Sequence, residues 1–455
     1  MPCLSFPVAL ALSSLPGSPR WGPGATPAPS EILAPRGSLS EGVELLAPAR
    51  IADHDRLPLR VKWACDGSFA AYVGYRGDDR FPVLHGDVIT EGEAYDFANP
   101  PRLAPEAPRV AFRVGRRVGP REEKWWVWLD GEPMHEEDWI GALAFSRDGE
   151  GLAYWAQPGA RLDDTGAYES RQLILRHIGG KTVRRPMEWD EATALTPPVF
   201  DSGKPYSFAL ENGQWFAVGR GRKRFEALSE GYTTVSGLQV ARGGKTIAFG
   251  AQVYELQRGN RQALLRVVVG EEHLASSYVA TYGPALSPDG KHVAYKYVSW
   301  APLMGICIDK ETGKEPGFHY VSQAVWSPKG KRVAFVSVAD AEGVDPRHVN
   351  TLQEYEPREG SWQLSLMERK GGAVTTGPKG FERLRSLTFG PDGERVAARA
   401  LSEEGWHMVL FDLEGQVVFA GPGHDEVGIP RWTEAGLAYG VRDDRELAWA
   451  LVSLE

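Results

Sequence analysis

An eleven-residue frame recurs along this chain and limits its fold more than any other feature. It runs from Ala144 to Tyr154, Ala285 to Tyr295, Val325 to Phe335 and Thr388 to Ala398. Each copy joins an apolar strand end to a Ser/Gly-Pro-Asp-Gly-type turn, adds a polar residue or two, and enters a small apolar strand. Ser287-Pro288-Asp289-Gly290-Lys291-His292-Val293-Ala294-Tyr295 shows the pattern in full. Degenerate copies end at Tyr72, Phe112, Phe208, Phe249 and Tyr439. The nine frame ends fall at residues 72, 112, 154, 208, 249, 295, 335, 398 and 439, mostly 40 to 46 residues apart, with two longer gaps of 54 and 63. A period of roughly 40–45 residues built from strands and turns is that of a four-stranded propeller blade.

The chemistry of the frame agrees with that reading. Proline pre-sets φ at the first turn corner, aspartate caps the following amides, and glycine takes the positive φ that closes a hairpin. The Val-Ala-Tyr/Phe triplet then alternates faces, which puts small alanine where neighbouring sheets crowd together. Lys124–Gly131, Leu264–Gly270, Gln363–Met367 and Met408–Asp412 read as third strands. The chain ends in such a strand, Leu447–Val452, with nothing after it to serve as a fourth. Val43–Leu46 is expected to supply the missing outer strand, so that paired termini close the ring and remove open edges.

The Ser-Pro-Asp-Gly-Lys-like turn before an apolar strand resembles the TolB-type, WD40-like β-propeller repeats. The match is strict at Ser287–Tyr295 and Ser327–Phe335, near at Ser146–Tyr154 and Gly390–Ala398, and weaker over about residues 60–455. The resemblance implies a ligand- or protein-binding disc. The Trp-Asp blade ending of eukaryotic WD40 repeats is absent, so their Asp-His-Ser/Thr-Trp networks do not carry over. The expected fold is all-β: a single propeller of eight or nine four-stranded blades over residues 41–455, closed by its N- and C-terminal strands. Residues 1–40, dense in Pro and Gly, are expected to form an irregular arm.

Composition narrows function by exclusion. The 455 residues carry 51 Lys+Arg against 60 Asp+Glu, a net charge of −9 that argues against a general nucleic-acid binder. No apolar run is long enough to span a membrane. Cys3, Cys65 and Cys307 are odd in number and far apart, so no disulfide framework or zinc knuckle is encoded. The apolar patch Phe6–Leu12 lacks a preceding Lys or Arg and is broken by Pro7. A cytoplasmic location is therefore expected, with periplasmic or secreted placement as the alternative.

Tests for catalytic motifs return structural readings. A Gly-x-Ser-x-Gly elbow is absent. Gly243-Gly244-Lys245-Thr246 lacks the earlier glycine of a phosphate loop, because Gln239 stands there, and it sits between strands. The ten histidines show no familiar metal spacing, and Asp66, Asp148, Asp289 and Asp392 occupy turn positions. No cofactor, metal or catalytic residue is assigned. Three features instead suggest partner binding. Arg220, Arg222, Lys223 and Arg224 form a basic patch on an acidic chain. The insertion from Asp340 to Glu359, with Arg347, His348 and Tyr355, lengthens one repeat. Trp126 and Trp128 share one strand face, which is either packed between sheets or a recognition surface. The expected function is a non-enzymatic interaction platform for a protein partner, acting through inter-blade loops and the channel mouth. A propeller hydrolase or lyase acting on a saccharide or peptide, and an exported cell-envelope accessory protein, are the alternatives.

Overall fold

The computed structural model describes residues 43–50, 60–162, 168–169, 172–179, 187–190, 192–211, 214–219, 232–242, 244–257, 260–270, 272–274, 280–299, 303–309, 311–312, 317–338, 362–370 and 372–453. The expected arm, the basic patch at Arg220, Arg222, Lys223 and Arg224, and the loop residues Arg347, His348 and Tyr355 lie outside these residues. The described secondary structure is β throughout, and every strand pair is antiparallel.

The described strands form nine sheets of four or five strands, plus a two-stranded hairpin of Arg161–Leu162 with Tyr168–Glu169. We number the nine in chain order. Sheet 1 holds Lys62–Trp63, Ala70–Arg76, Asp79–His85 and Ile89–Glu91. In sheet 2 the first strand is split into Phe97–Ala98 and Arg102–Leu103, followed by Val110–Gly119, Glu122–Leu129 and Glu132–Glu137. Sheet 8 is Arg383–Phe389, Val396–Ser402, Gly405–Phe411 and Val417–Ala420. Sheet 9 has the split first strand Glu426–Val427 and Arg431–Thr433, then Gly436–Asp443 and Glu446–Val452. Its outer strand is Val43–Arg50 from the other end of the chain, with Val43 opposite Val452 and Leu46 opposite Trp449. Each sheet touches the next in chain order, and the ninth touches the first.

All nine frames fall on second strands. Their terminal aromatics Tyr72, Phe112, Tyr154, Phe208, Phe249, Tyr295 and Tyr439 are fully buried, and so are the neighbouring alanines such as Ala71, Ala111 and Ala294. Successive residues face opposite sides of a strand. The aromatic therefore fills one inter-sheet layer while the small alanine lets the next sheet approach the other. The core is accordingly a series of apolar layers, each shared by two adjacent sheets, for example Val73, Phe112 and Trp128 between sheets 1 and 2. Val61, Trp63 and Tyr72 pack in the same way against Ala438, Leu447 and Trp449, between sheets 1 and 9.

The turn acids act as turn formers. Asp289 accepts from the Ser287 hydroxyl at 2.6 Å and from Lys291 N–H at 3.1 Å, while Gly290 takes φ +64°. Asp148 repeats this with Ser146 and Glu150. These bonds hold both carboxyls below their ordinary pKa. Gly244 likewise sits in a strand-to-strand turn, its N–H donated to Asp201 at 3.0 Å. Among the described residues no helix is long and apolar enough to cross a membrane.

Candidate anion-binding site at the first-strand ends

The first strands of the sheets converge. The clearest sign is Arg431 of sheet 9, which reaches past sheet 1 and donates to the Pro105 carbonyl, beside sheet 2, at 3.2 Å. Around this point lies a cavity of about 690 Å³, lined by sheets 1, 2, 8 and 9. Sheet 1 contributes Lys62 and the preceding Arg60; sheet 2 contributes Arg102. Arg385 and Arg399 come from sheet 8, and Arg431 and Arg442 from sheet 9. Against these seven cations stand, among the described residues, two carboxylates, Asp425 and Glu426. A chain of net charge −9 thus concentrates an excess of five positive charges in one cavity.

The two carboxylates are already engaged. Glu426 lies directly opposite Arg442 in the ladder and accepts from its Nε at 3.1 Å, while Asp425 is 3.9 Å from the same guanidinium. Burial pushes the Glu426 carboxyl up; the Arg442 and Val61 donors pull against that shift. Burial and the Arg102, Arg60 and Arg431 charges push Lys62 down to about 8. A cation held among cations in a partly dehydrated pocket disfavours its own charged form, and an arriving anion reverses that penalty.

Sheet 8 opposes two cations at the cavity. Arg385 and Arg399 are directly opposed partners on adjacent antiparallel strands. Like charges in that register destabilise a sheet. The Trp406 indole partly offsets this, with Arg399 at 5.5 Å and Arg385 at 6.0 Å from a ring centroid. Arg399 is anchored further by its Nη1, which donates to the Val427 carbonyl at 2.8 Å. Burial lowers the Arg399 pKa from its ordinary value; the Glu426 charge pulls against that shift and Arg385 adds to it. Immediately after Arg385 the strand bulges, and Ser386 adopts φ +56°. Sheets 5 and 6 bulge at the corresponding place with glycines, Gly237 at +61° and Gly283 at +64°. A serine in that conformation is strained, and strain of this kind gathers at functional sites.

The tryptophan strand resolves into packing. Trp128 is 1% exposed, edge-on to Phe112 at 5.4 Å between sheets 1 and 2, which corrects its assignment to a recognition surface. Trp125, on the opposite face, stacks on Phe97 at 5.5 Å. Trp126 is half-buried and contacts Tyr95 at 6.0 Å. Three of the described histidines serve local bonds: His292 with Asp309 at 2.8 Å, His424 with Asp443 at 2.7 Å, and His407 with Ser402 at 2.8 Å. Among the described residues no group of three His, Cys, Asp or Glu could hold a metal ion.

None of the cavity cations was singled out by motif or spacing, although a signal existed. Lys62 and Arg102 each stand one residue before a frame opens at Trp63 or Leu103, and Arg431 opens another. In the ladders all three stand opposite the alanine that precedes the frame aromatic, Ala71, Ala111 and Ala438, and cations recurring there point to a shared basic mouth.

These features define a β-propeller with a cation-lined mouth. The chain is similar in fold to a solved structure of a eukaryotic initiation factor, at TM-score 0.50 and 10% identity, covering 83% of this chain and 91% of that one. It is also similar to the Dos1 propeller, at TM-score 0.43 and 10% identity over 91% and 96% of the two chains. Similarity to the tricorn protease reaches TM-score 0.41 and 13% identity, over 82% of this chain and 41% of that one. No protein-family model and no curated protein matches the sequence. At these identities the likeness concerns the fold alone.

Proposed function

We propose that this protein is a non-enzymatic β-propeller of the TolB-like kind, with nine blades closed by its terminal strands, and that it acts as a platform for an acidic protein partner. One observation carries the reading: among the described residues, seven cations stand against two carboxylates in a cavity lined by the first two and the last two sheets. Such a mouth attracts an acidic segment over long range and holds it where water is partly excluded. We assign residues 1–40, dense in Pro and Gly, as an irregular arm. Trp126, the basic residues Arg220, Arg222, Lys223 and Arg224, and Arg347, His348 and Tyr355 in the Asp340–Glu359 insertion are additional docking elements.

The test is fluorescence anisotropy of a labelled polyglutamate peptide with the full chain at two salt concentrations. Binding is expected at low salt, weakening as salt rises, and abolished by the paired reversals Lys62→Glu and Arg102→Glu. A peptide that fails to bind at low salt, or that binds the reversed chain equally well, overturns the reading. Removal of residues 340–359 then reports whether that loop adds affinity.

A further inference from the structure

We propose that Lys62 is a modification site: its amine takes an acyl group from an acyl phosphate, which Arg102 on the adjoining sheet draws in by its phosphate. The inference uses cations of the same cavity and does not depend on the binding of an acidic partner.

Lys62 is the middle member of an ordered row. Sheets 9, 1 and 2 adjoin, and each places a cation at the same ladder position, opposite the alanine before the frame aromatic: Arg431, Lys62 and Arg102. At that position sheets 3, 5, 6, 7 and 8 carry Ala144, Gln239, Ala285, Val325 and Thr388, none of them charged. Among these sheets the row is therefore confined to three neighbours, and its one amine belongs to the middle sheet. Arg431 spans the row, donating to the Pro105 carbonyl beyond sheet 1 at 3.2 Å. Arg60, two residues before Lys62, adds a third guanidinium. The other charges lining the cavity are Arg385, Arg399 and Arg442 of sheets 8 and 9, with Asp425 and Glu426 held at Arg442.

Such a setting makes an amine a nucleophile. Lys62 is half-buried, and the charges that bear on it, from Arg102, Arg60 and Arg431, are all positive. Burial first, and then those charges, bring its pKa down to about 8. At about pH 7.5 roughly a quarter of Lys62 is then neutral amine, against about one part in a thousand for a lysine at the ordinary value. Lys124 is the opposite case: Asp138 at 2.5 Å and Glu136 at 3.4 Å hold it charged. The row also selects the electrophile. Cations attract an anionic donor over an uncharged one, and a guanidinium fork matches phosphate oxygens. In the reaction the neutral Nζ attacks the acyl carbon, and the bond from that carbon to the phosphate oxygen breaks. The phosphate leaves with that electron pair and takes the proton lost by nitrogen, so Lys62 remains as an uncharged amide. Cations beside the leaving group stabilise the charge it gathers. A volume of about 690 Å³ leaves room for the acyl phosphate beside the amine.

The experiment incubates the full chain with acetyl phosphate, and in parallel with the uncharged N-hydroxysuccinimide ester of acetate, and follows each lysine by peptide mass spectrometry. With acetyl phosphate at about pH 7.5, Lys62 is expected to react at least about tenfold faster than Lys124, and than Lys62 itself in the urea-unfolded chain. Its rate should level off above about pH 8, while that of Lys124 goes on climbing. The preference for Lys62 over Lys124 should be at least about threefold greater with acetyl phosphate than with the ester. Arg102→Gln changes an exposed side chain, and it is expected to slow Lys62 by about threefold or more with acetyl phosphate while leaving Lys124 unchanged. The proposal is overturned if Lys62 reacts no faster than Lys124 or than its own unfolded form, or if the two donors show equal preference. It is overturned equally if Arg102→Gln, with wild-type circular dichroism, leaves the Lys62 rate unchanged. Polyglutamate anisotropy is scored separately. Its failure beside rapid Lys62 acylation removes the acidic-partner reading alone, and the reverse result removes this proposal alone.

Discussion

Gly440→Ala is a one-methyl substitution whose effect reports whether the first and last sheets are packed as described. Gly440 lies on the second strand of sheet 9, and the Trp63 indole of sheet 1 rests against it. A Cβ there would overlap the Trp63 ring, and one on the neighbouring Gly428 would come within 2.7 Å of it. Gly428 N–H donates to the Gly440 carbonyl at 2.7 Å, so the two glycines form one small platform beneath the indole. At an unencumbered strand position, alanine in place of glycine would stabilise by about 0.5–1 kcal/mol. Here the methyl must push the indole from a site where Trp63 is 8% exposed. Overpacking costs about 1–3 kcal/mol, and complete loss of a tryptophan from its seat costs about 3–5. We therefore expect Gly440→Ala to destabilise by about 3 kcal/mol. The assay is urea unfolding followed by far-ultraviolet circular dichroism, run as a cycle with Trp63→Ala and the double variant. Once Trp63 is truncated, Gly440→Ala should be neutral or slightly stabilising, giving a coupling of at least about 2 kcal/mol. A neutral single variant, or effects that add to within about 0.5 kcal/mol, refutes the packing of sheet 9 on sheet 1.

Three further outcomes follow from local geometry. Ser386→Gly relieves a positive φ and is expected to raise the urea midpoint, by about 1 kcal/mol of stability; an unchanged or lower midpoint shows that Ser386 is not strained. Trp128→Ala should destabilise by about 3–5 kcal/mol without changing polyglutamate affinity, because its ring is buried between sheets 1 and 2. Lys62 should confer pH dependence: its pKa in the folded chain is about 8, below the ordinary 10.5, so the unfolded chain binds the extra proton between those values and stability rises with pH across that window. An anion raises the Lys62 pKa again, so polyglutamate affinity should fall as pH passes about 8, and Lys62→Met should flatten that fall.

The architecture was readable because its determinants are local and repeated. A Ser-Pro-Asp-Gly turn commits three or four adjacent residues through bonds such as Asp289 to Ser287 and Lys291, and the following Val293-Ala294-Tyr295 sorts faces by alternation alone. The pairing of Val43 with Val452 was also readable, since a chain ending on a third strand leaves one edge wanting a partner. The burial of Trp128 was not legible in the sequence, because alternation says which residues share a face and not whether another sheet covers it. Val73 and Tyr95, which help cover it, lie more than thirty residues away.

The cavity was hidden for a deeper reason. Lys62, Arg102, Arg385 and Arg431 look like ordinary solvated cations, because each one's meaning depends on strands brought beside it from the other end of the chain. What separates them from surface charge is disagreement between levels of the structure. An acidic chain gains nothing in stability from gathering seven cations around two carboxylates, from opposing Arg385 to Arg399, or from a serine at φ +56° beside them. Glycines occupy the equivalent bulges of sheets 5 and 6, and Glu426 opposes Arg442 in sheet 9. Departures from local consistency are expected where binding rather than stability sets the sequence, and the proposed anion site rests on that expectation.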